Sequence, residues 1–327
     1  MTAIELDGLT KDYGEVLAND GVTFDVERGE IFGYLGPNGA GKTTTIRTLL
    51  GFVSPTSGSA RMLGRDVTDE RELIEAKRRI GYLPDDPQFD ESATGREILE
   101  LHAGIKGDER SGELLELFDP PLDRPVREYS HGNVRKLGLV TTFMHDPDLV
   151  ILDEPTGGLD PLMKQRFAEF VRGEREDGLT VFFSSHILGE VRRLCDRVGI
   201  IRNGRLVTVE PVESLMGRSG KVVRLRVAGE LPAGTFDVDG VHDYETSVST
   251  GEADGAGAVT DCTFTFTGDV NAVVRRLPAL ELLDCTIEEA PLEDVFMRFY
   301  GEGSDETGEE RRERRRSDAV AGGDVDA

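Results

Sequence analysis

Gly36-Pro37-Asn38-Gly39-Ala40-Gly41-Lys42-Thr43-Thr44 is the stretch that decides how this chain is read. It has the full G-x-x-x-x-G-K-[ST] form of a phosphate-binding loop. The apolar run 31–35 before it predicts a buried strand, and 43–50 after it predicts a helix. Strand, loop and helix in that order are the context the motif requires. Gly36, Gly39 and Gly41 free the backbone for a tight turn, so that its N–H groups and those of Asn38 and Thr44 can approach phosphate oxygens. The helix N-terminus adds partial positive charge. Lys42 is placed to reach the β- and γ-phosphates, and the Thr43 hydroxyl to sit on Mg²⁺. A nucleoside triphosphate is the expected ligand.

Asp148-Leu149-Val150-Ile151-Leu152-Asp153-Glu154-Pro155 supplies the complementary half. Four apolar residues predict a strand buried on both faces. Two carboxylates follow at its C-terminal end, the edge where ligands bind in open α/β sheets. Buried acids are costly unless they meet a cation or a polarised water. Asp153 therefore reads as the Mg²⁺-side carboxylate, and Glu154 as the general base for the attacking water.

The 327 residues allow two domains. No run of 18 or more apolar residues occurs, so no membrane-spanning helix is expected, and membrane work would need a separate chain. The N-terminus lacks a basic region followed by an apolar core, so no signal peptide is expected. With 63 acidic and 38 basic residues the net charge is −25. Such a chain repels nucleic acid over most of its surface. Lysine occurs only at 11, 42, 77, 106, 136, 164 and 221. Excess acid with few lysines suggests a surface kept soluble in high salt, as in a halophile. Cys195, Cys262 and Cys285 have no metal spacing and fit a reducing compartment.

Strand patterns are expected at 4–9, 22–26, 31–35, 58–62, 80–83, 149–152, 180–183 and 198–201. Helices are expected near 161–173 and 187–195, and from about 94 to 145 the pattern is helical, with apolar clusters at 98–101, 114–118 and 137–143. Strands separated by helices argue for a largely parallel sheet covered on both faces. Beyond residue 218 the pattern changes. Strands at 222–227, 241–248, 258–266 and 282–288, with helices at 269–277 and 291–299, predict an α+β domain of roughly 80 residues. The segment 302–327 has too few large apolar residues to offset ordering entropy and is expected to be a disordered, charged tail.

Between the two nucleotide motifs lies Tyr129-Ser130-His131-Gly132-Asn133-Val134-Arg135-Lys136-Leu137, which resembles the signature motif of ATP-binding-cassette (ABC) proteins. Pro155-Thr156-Gly157-Gly158-Leu159-Asp160 resembles that family's D-loop, and Ser184-Ser185-His186 its switch histidine. Tyr13 sits where the family stacks an aromatic on adenine; as a lone aromatic near a strand end it also reads as structural. The resemblance implies an α/β P-loop NTPase core with a mostly parallel sheet, an antiparallel β subdomain and a helical insertion at about 86–145. That cassette spans 1–218, and an accessory α+β domain spans 219–301. It implies an ATPase that uses ATP and Mg²⁺. Two copies would pair head to tail, with Lys42, Thr43, Asp153, Glu154 and His186 of one facing Ser130, Gly132 and Asn133 of the other. Asp160 would lie at the same interface.

Two departures stand out. Tyr129, His131 and Asn133 replace three residues of the usual Leu-Ser-Gly-Gly-Gln, while Ser130 and Gly132 remain. This resembles the antibiotic-, sodium- or polysaccharide-exporting branch. After Ile80-Gly81-Tyr82-Leu83-Pro84 the family's usual Gln is Asp85, assigned here as a Mg²⁺ ligand one methylene shorter; Gln88 is three residues displaced. The segment that follows is where the family receives a permease helix, with Phe89, Ile98, Leu99 and Leu101 as lining or core residues. The ending Pro291-Leu292-Glu293-Asp294-Val295-Phe296-Met297-Arg298-Phe299 resembles ATPase subunits of two-component exporters. The expectation is an exporter's motor subunit, a homodimer held on the cytoplasmic face of the plasma membrane by separate multi-helix permease chains. A soluble ABC regulator of nucleic acid or ribosomes is an alternative, though such proteins usually carry two cassettes. A non-catalytic nucleotide sensor is another.

Overall fold

A computed structural model describes residues 1–232, 234–250 and 258–289. The helix expected at 291–299 and the tail at 302–327 lie outside the described residues. The chain divides into two compact units, one ending at Val212 and one starting at Glu213. The sequence pattern had put this division after 218.

The first unit begins with β1 (Thr2–Asp12), β2 (Leu17–Glu27), β3 (Ile31–Leu35) and α1 (Lys42–Leu49). It continues through β4 (Ser57–Met62), β5 (Arg65–Asp66), α2 (Glu70–Lys77) and β6 (Ile80–Leu83). Then come α3 (Gly95–Lys106), α4 (Ser111–Phe118) and α5 (His131–Phe143). It closes with β7 (Leu149–Asp153), α6 (Pro161–Glu176), β8 (Thr180–Ser185), α7 (Leu188–Leu194), β9 (Arg197–Arg202) and β10 (Arg205–Pro211).

Two sheets form. The six-stranded sheet has the order β10-β9-β3-β8-β7-β6 and is parallel except where β10 pairs with β9. The second sheet, β2-β1-β4-β5, is antiparallel. β3, β7 and β8 are buried at every position, as strands covered on both faces must be. β2 alternates buried and exposed residues, the pattern of a sheet with one solvated face. An aromatic stack seals the two sheets: Phe24 of β2 lies 5.2 Å from Phe32 of β3, centroid to centroid, and 6.1 Å from Phe182 of β8.

The helical pattern expected from about 94 to 145 forms three α-helices and a 3₁₀ turn at Val126–Glu128. α3 begins with a reciprocal capping box between Thr94 and Glu97. Three elements escaped the sequence pattern. α2 is mostly charged, although Asp69 caps it by accepting from the N–H groups of Arg71 and Glu72. β5 spans only two residues. β10 follows an Asn203-Gly204 turn with φ of 50° and 77°, the strongest short hairpin signal.

The second unit starts within α8 (Val212–Ser219), which crosses the division. Next come β11 (Lys221–Ala228), β12 (Val241–Thr250), β13 (Ala258–Phe266), α9 (Asn271–Val274) and β14 (Leu282–Glu289). Its antiparallel sheet has the order β12-β13-β11-β14 and its own core of Val223, Leu225, Val227, Phe236, Phe264 and Phe266. The helix expected at 269–277 is shorter: α9 is one turn, followed by a 3₁₀ turn at Leu277–Ala279. Pro278 removes an N–H donor and ends regular α-helix there.

Candidate active site

The phosphate loop leaves β3 and enters α1. Asn38 and Gly39 are exposed at its tip, while Gly36 and Lys42 are buried. Gly41 carries a φ of 110°, and a Cβ there would stand 2.4 Å from the Ala18 carbonyl, so both conformation and space demand glycine. Asn19, fully buried, donates through Nδ2 to the Gly41 carbonyl at 3.3 Å and to Thr45 Oγ1 at 3.0 Å. It braces the loop from β2, and nothing in the linear pattern singles it out.

Lys42 Nζ donates to the Gly36 carbonyl at 2.7 Å and lies 3.5 Å from Glu154 Oε1. The other Glu154 oxygen lies 2.9 Å from His186 Nδ1. Glu154 stands just beyond β7 with a φ of 49°, in the left-handed region. For a non-glycine residue that conformation costs about 1–3 kcal/mol. Its N–H donates to the Ser184 carbonyl at 3.0 Å, tying the strained residue to β8. The Thr43 hydroxyl reaches Asp153 Oδ2 at 3.4 Å. Burial pushes the Asp153 carboxyl above its ordinary pKa, and the charges of Glu154 and Asp85 push it further; the nearby Ser184 hydroxyl and the charge of Lys42 oppose this. Lys42, Thr43, Asp153, Glu154 and His186 are thus brought together as the sequence implied.

Thr43 and Asp153 are hard oxygen donors of the kind Mg²⁺ takes. Among the described residues no group of three or more His, Cys, Asp or Glu is clustered for a metal. Mg²⁺ needs none, since it is commonly held by one or two carboxylates with phosphate oxygens and water. The residues therefore fit Mg²⁺ shared with a nucleotide. Asp85 is placed differently from the expectation of a side chain free to meet the metal: it is 66% exposed, and its Oδ1 lies 3.4 Å from Arg135 Nη2. Gln88 is turned to Asp86 at 2.6 Å.

Tyr13 is 52% exposed, with Lys11 Nζ over its ring at 5.0 Å from the centroid. The signature residues occupy the start of α5. Ser130 is its N-cap, accepting from the Asn133 N–H at 3.3 Å. Gly132 packs so tightly on the D-loop that a Cβ would meet the Gly158 carbonyl at 2.8 Å. Asp160 caps α6 by accepting from the Met163 N–H at 2.9 Å. Among the described residues no hydrogen bond or ion pair joins Ser130, Gly132 or Asn133 to the phosphate loop of the same chain. Of the residues weighed for a docking groove, Ile98 and Leu99 are core, Phe89 is half-buried against His102, and Leu101 is exposed.

Glu190 on α7 was not foreseen. The Thr156 hydroxyl donates to it, Ser185 Oγ lies 3.1 Å from its Oε2, and Lys164 Nζ 3.1 Å from its Oε1. Ser185 in turn accepts the Ile187 N–H at 3.0 Å. One carboxylate thereby anchors both the segment after Glu154 and the one carrying His186.

Residues 19–157 match the family model described as ABC transporter. The chain is 34% identical to the bacitracin transport ATP-binding protein BcrA of Bacillus licheniformis, over 93% of this chain and 99% of that protein. It is 35% identical to the daunorubicin resistance ATP-binding protein DrrA3 of Streptomyces coeruleorubidus, over 92% and 96%. A solved ATP-binding subunit of an ABC transporter superposes with a TM-score of 0.61 at 32% identity, covering 65% of this chain and 92% of that one. A dimeric ATP-binding cassette bound to ADP and Pi shares the fold at a TM-score of 0.58 and 22% identity, over 64% of this chain and 98% of that one. With relatives this similar matched over nearly their whole length, the chain belongs to the ABC transporter family, as an ATP-hydrolysing subunit of its export branch.

Proposed function

We propose that this chain drives export by closing on ATP as a head-to-tail homodimer bound to two separate permease subunits. The observation that carries the chemistry is the Glu154 carboxylate held between Lys42 at 3.5 Å and His186 at 2.9 Å. Glu154 would accept a proton from water as that water attacks the γ-phosphorus. Lys42 would release its loop carbonyls to hold the β- and γ-phosphates, and His186 would turn from Glu154 to the γ-phosphate. Mg²⁺, bound by Thr43 and Asp153 with Asp85 near, would neutralise phosphate charge. Tyr13 would stack on adenine. Ser130, Gly132 and Asn133, which among the described residues have no hydrogen bond or ion pair to their own phosphate loop, would complete the site of the second copy, with Asp160 beside them.

The bacitracin, daunorubicin and Nod factor names of relatives fit an export motor. No helix among the described residues is long and apolar enough to cross a membrane, in keeping with a permease on another chain and a peripheral place on the cytoplasmic face. Domain limits near 1–218 and 219–301 belong to the same reading. In phosphate-release assays Glu154→Gln is expected to lower turnover by about 10²–10⁴-fold while ATP is still bound. Turnover unchanged in that variant would instead favour a nucleotide sensor. The −25 charge supports a halophilic surface; the thermal midpoint should rise in molar KCl, and a midpoint no higher than in dilute buffer removes that part.

A further inference from the structure

Arg135 is a buried arginine whose acceptors come from two loops. It lies on α5 at 6% exposure. Nη1 donates to the Pro84 carbonyl at 2.8 Å, and Nη2 to the Asp85 carbonyl, with the Asp85 carboxylate 3.4 Å away. Nε donates to the Gly157 carbonyl at 3.3 Å. The first loop follows β6. The second begins just after Glu154. A Cβ at Gly157 would come within 3.2 Å of the guanidinium, so the approach on that side is close.

A buried cation is costly unless every donor is satisfied and opposite charge is near. Burial lowers the Arg135 pKa, and Asp85, Asp86 and Asp153 oppose the shift. The cation therefore sits in the field of the carboxylates around the nucleotide. A planar fork can bind several acceptors in fixed directions, which an ammonium cannot. The helix that carries it has Ser130 at its N-cap and Gly132 against Gly158. The guanidinium thus joins the loops after β6 and β7, beside the phosphate loop, to the helix whose start carries Ser130, Gly132 and Asn133.

We infer that Arg135 is a positioning residue that couples the two half-sites. It clamps Pro84, Asp85 and Gly157 to α5, so that nucleotide bound at these loops sets how Ser130, Gly132 and Asn133 are presented to a second copy. Binding at one site then changes affinity at the other, and the effect is reciprocal. The inference rests on the head-to-tail dimer proposed above.

The test uses the full chain carrying Glu154→Gln, titrated with ATP and Mg²⁺ while the dimer is followed by light scattering. Arg135→Lys keeps the charge and loses the fork; Arg135→Gln loses both. Each is expected to need about tenfold more ATP for half-maximal dimer, with a shallower titration, while monomer affinity for ADP by calorimetry stays within about twofold. If Glu154→Gln alone forms no dimer with ATP, the dimer reading itself fails. If it does and both Arg135 variants follow the same curve, Arg135 couples nothing. Loss of folded circular dichroism in both variants, or a parallel loss of ADP affinity, makes the guanidinium purely structural and overturns the proposal.

Discussion

At the ends of β3, β7 and β8, Lys42, Glu154 and His186 hold one another within a single chain. At the start of α5, the Ser130 hydroxyl accepts the N–H of Asn133, and among the described residues that side chain makes no other hydrogen bond. Both regions are marked by sequence motifs, the second with three replaced residues, yet only the first is a finished arrangement of charges. The difference teaches where to look for the partner. A side chain whose counterpart lies in the same chain shows its function as geometry. One whose counterpart lies in another copy shows only a helix cap.

That contrast can be broken most sharply by comparing Lys42→Ala with Ser130→Ala. Lys42→Ala should weaken ADP binding to the monomer by an order of magnitude or more, since it removes a charge-assisted contact to phosphate worth about 1.5–3 kcal/mol. Ser130→Ala should leave monomer ADP affinity within about twofold, cost about 1 kcal/mol of stability as a lost cap, and still depress turnover. Calorimetry with ADP separates the two. Equal losses of ADP affinity would mean that Ser130 serves its own chain's nucleotide.

A smaller effect sharpens the first region. Burial raises the Asp153 pKa above its ordinary 3.8. The native state therefore holds this proton more tightly than the unfolded state. Stability contributed by the protonated form is present below pH 3.8 and is lost as pH rises through the higher native value. At neutral pH the ionised carboxylate is a net cost, so Asp153→Asn should raise the thermal midpoint of nucleotide-free protein while abolishing hydrolysis. An unchanged or lower midpoint at pH 7, measured calorimetrically, would show that Asp153 is not strained in this way.

What the sequence revealed follows the same division. β3, α1 and β7 were legible because an apolar run, a glycine loop and paired acids each have one physical use in that order. β10 was missed although Asn203-Gly204 announces a hairpin, because its side chains alternate only weakly between buried and exposed. α2 was missed because its sequence is mostly charged, and its Asp69 cap was the sole local cue. Asn19, Arg135 and Glu190 could not be read at all. Each lies within a strand or helix, and its partners are brought to it only by the tertiary fold. The Asp85 carboxylate lies 3.4 Å from Arg135, a contact between residues fifty positions apart that no local pattern announces. The left-handed φ of Glu154 is likewise a product of the fold, since glutamate has no local preference for it.

The central claim is that the two unequal regions complete one another across a dimer. The most direct measurement is size-exclusion chromatography of Glu154→Gln in high salt with Mg²⁺, with either ATP or ADP. The account predicts a dimer with ATP and a monomer with ADP, because removing the base traps the closed state. A protein that binds ATP and remains monomeric would contradict it.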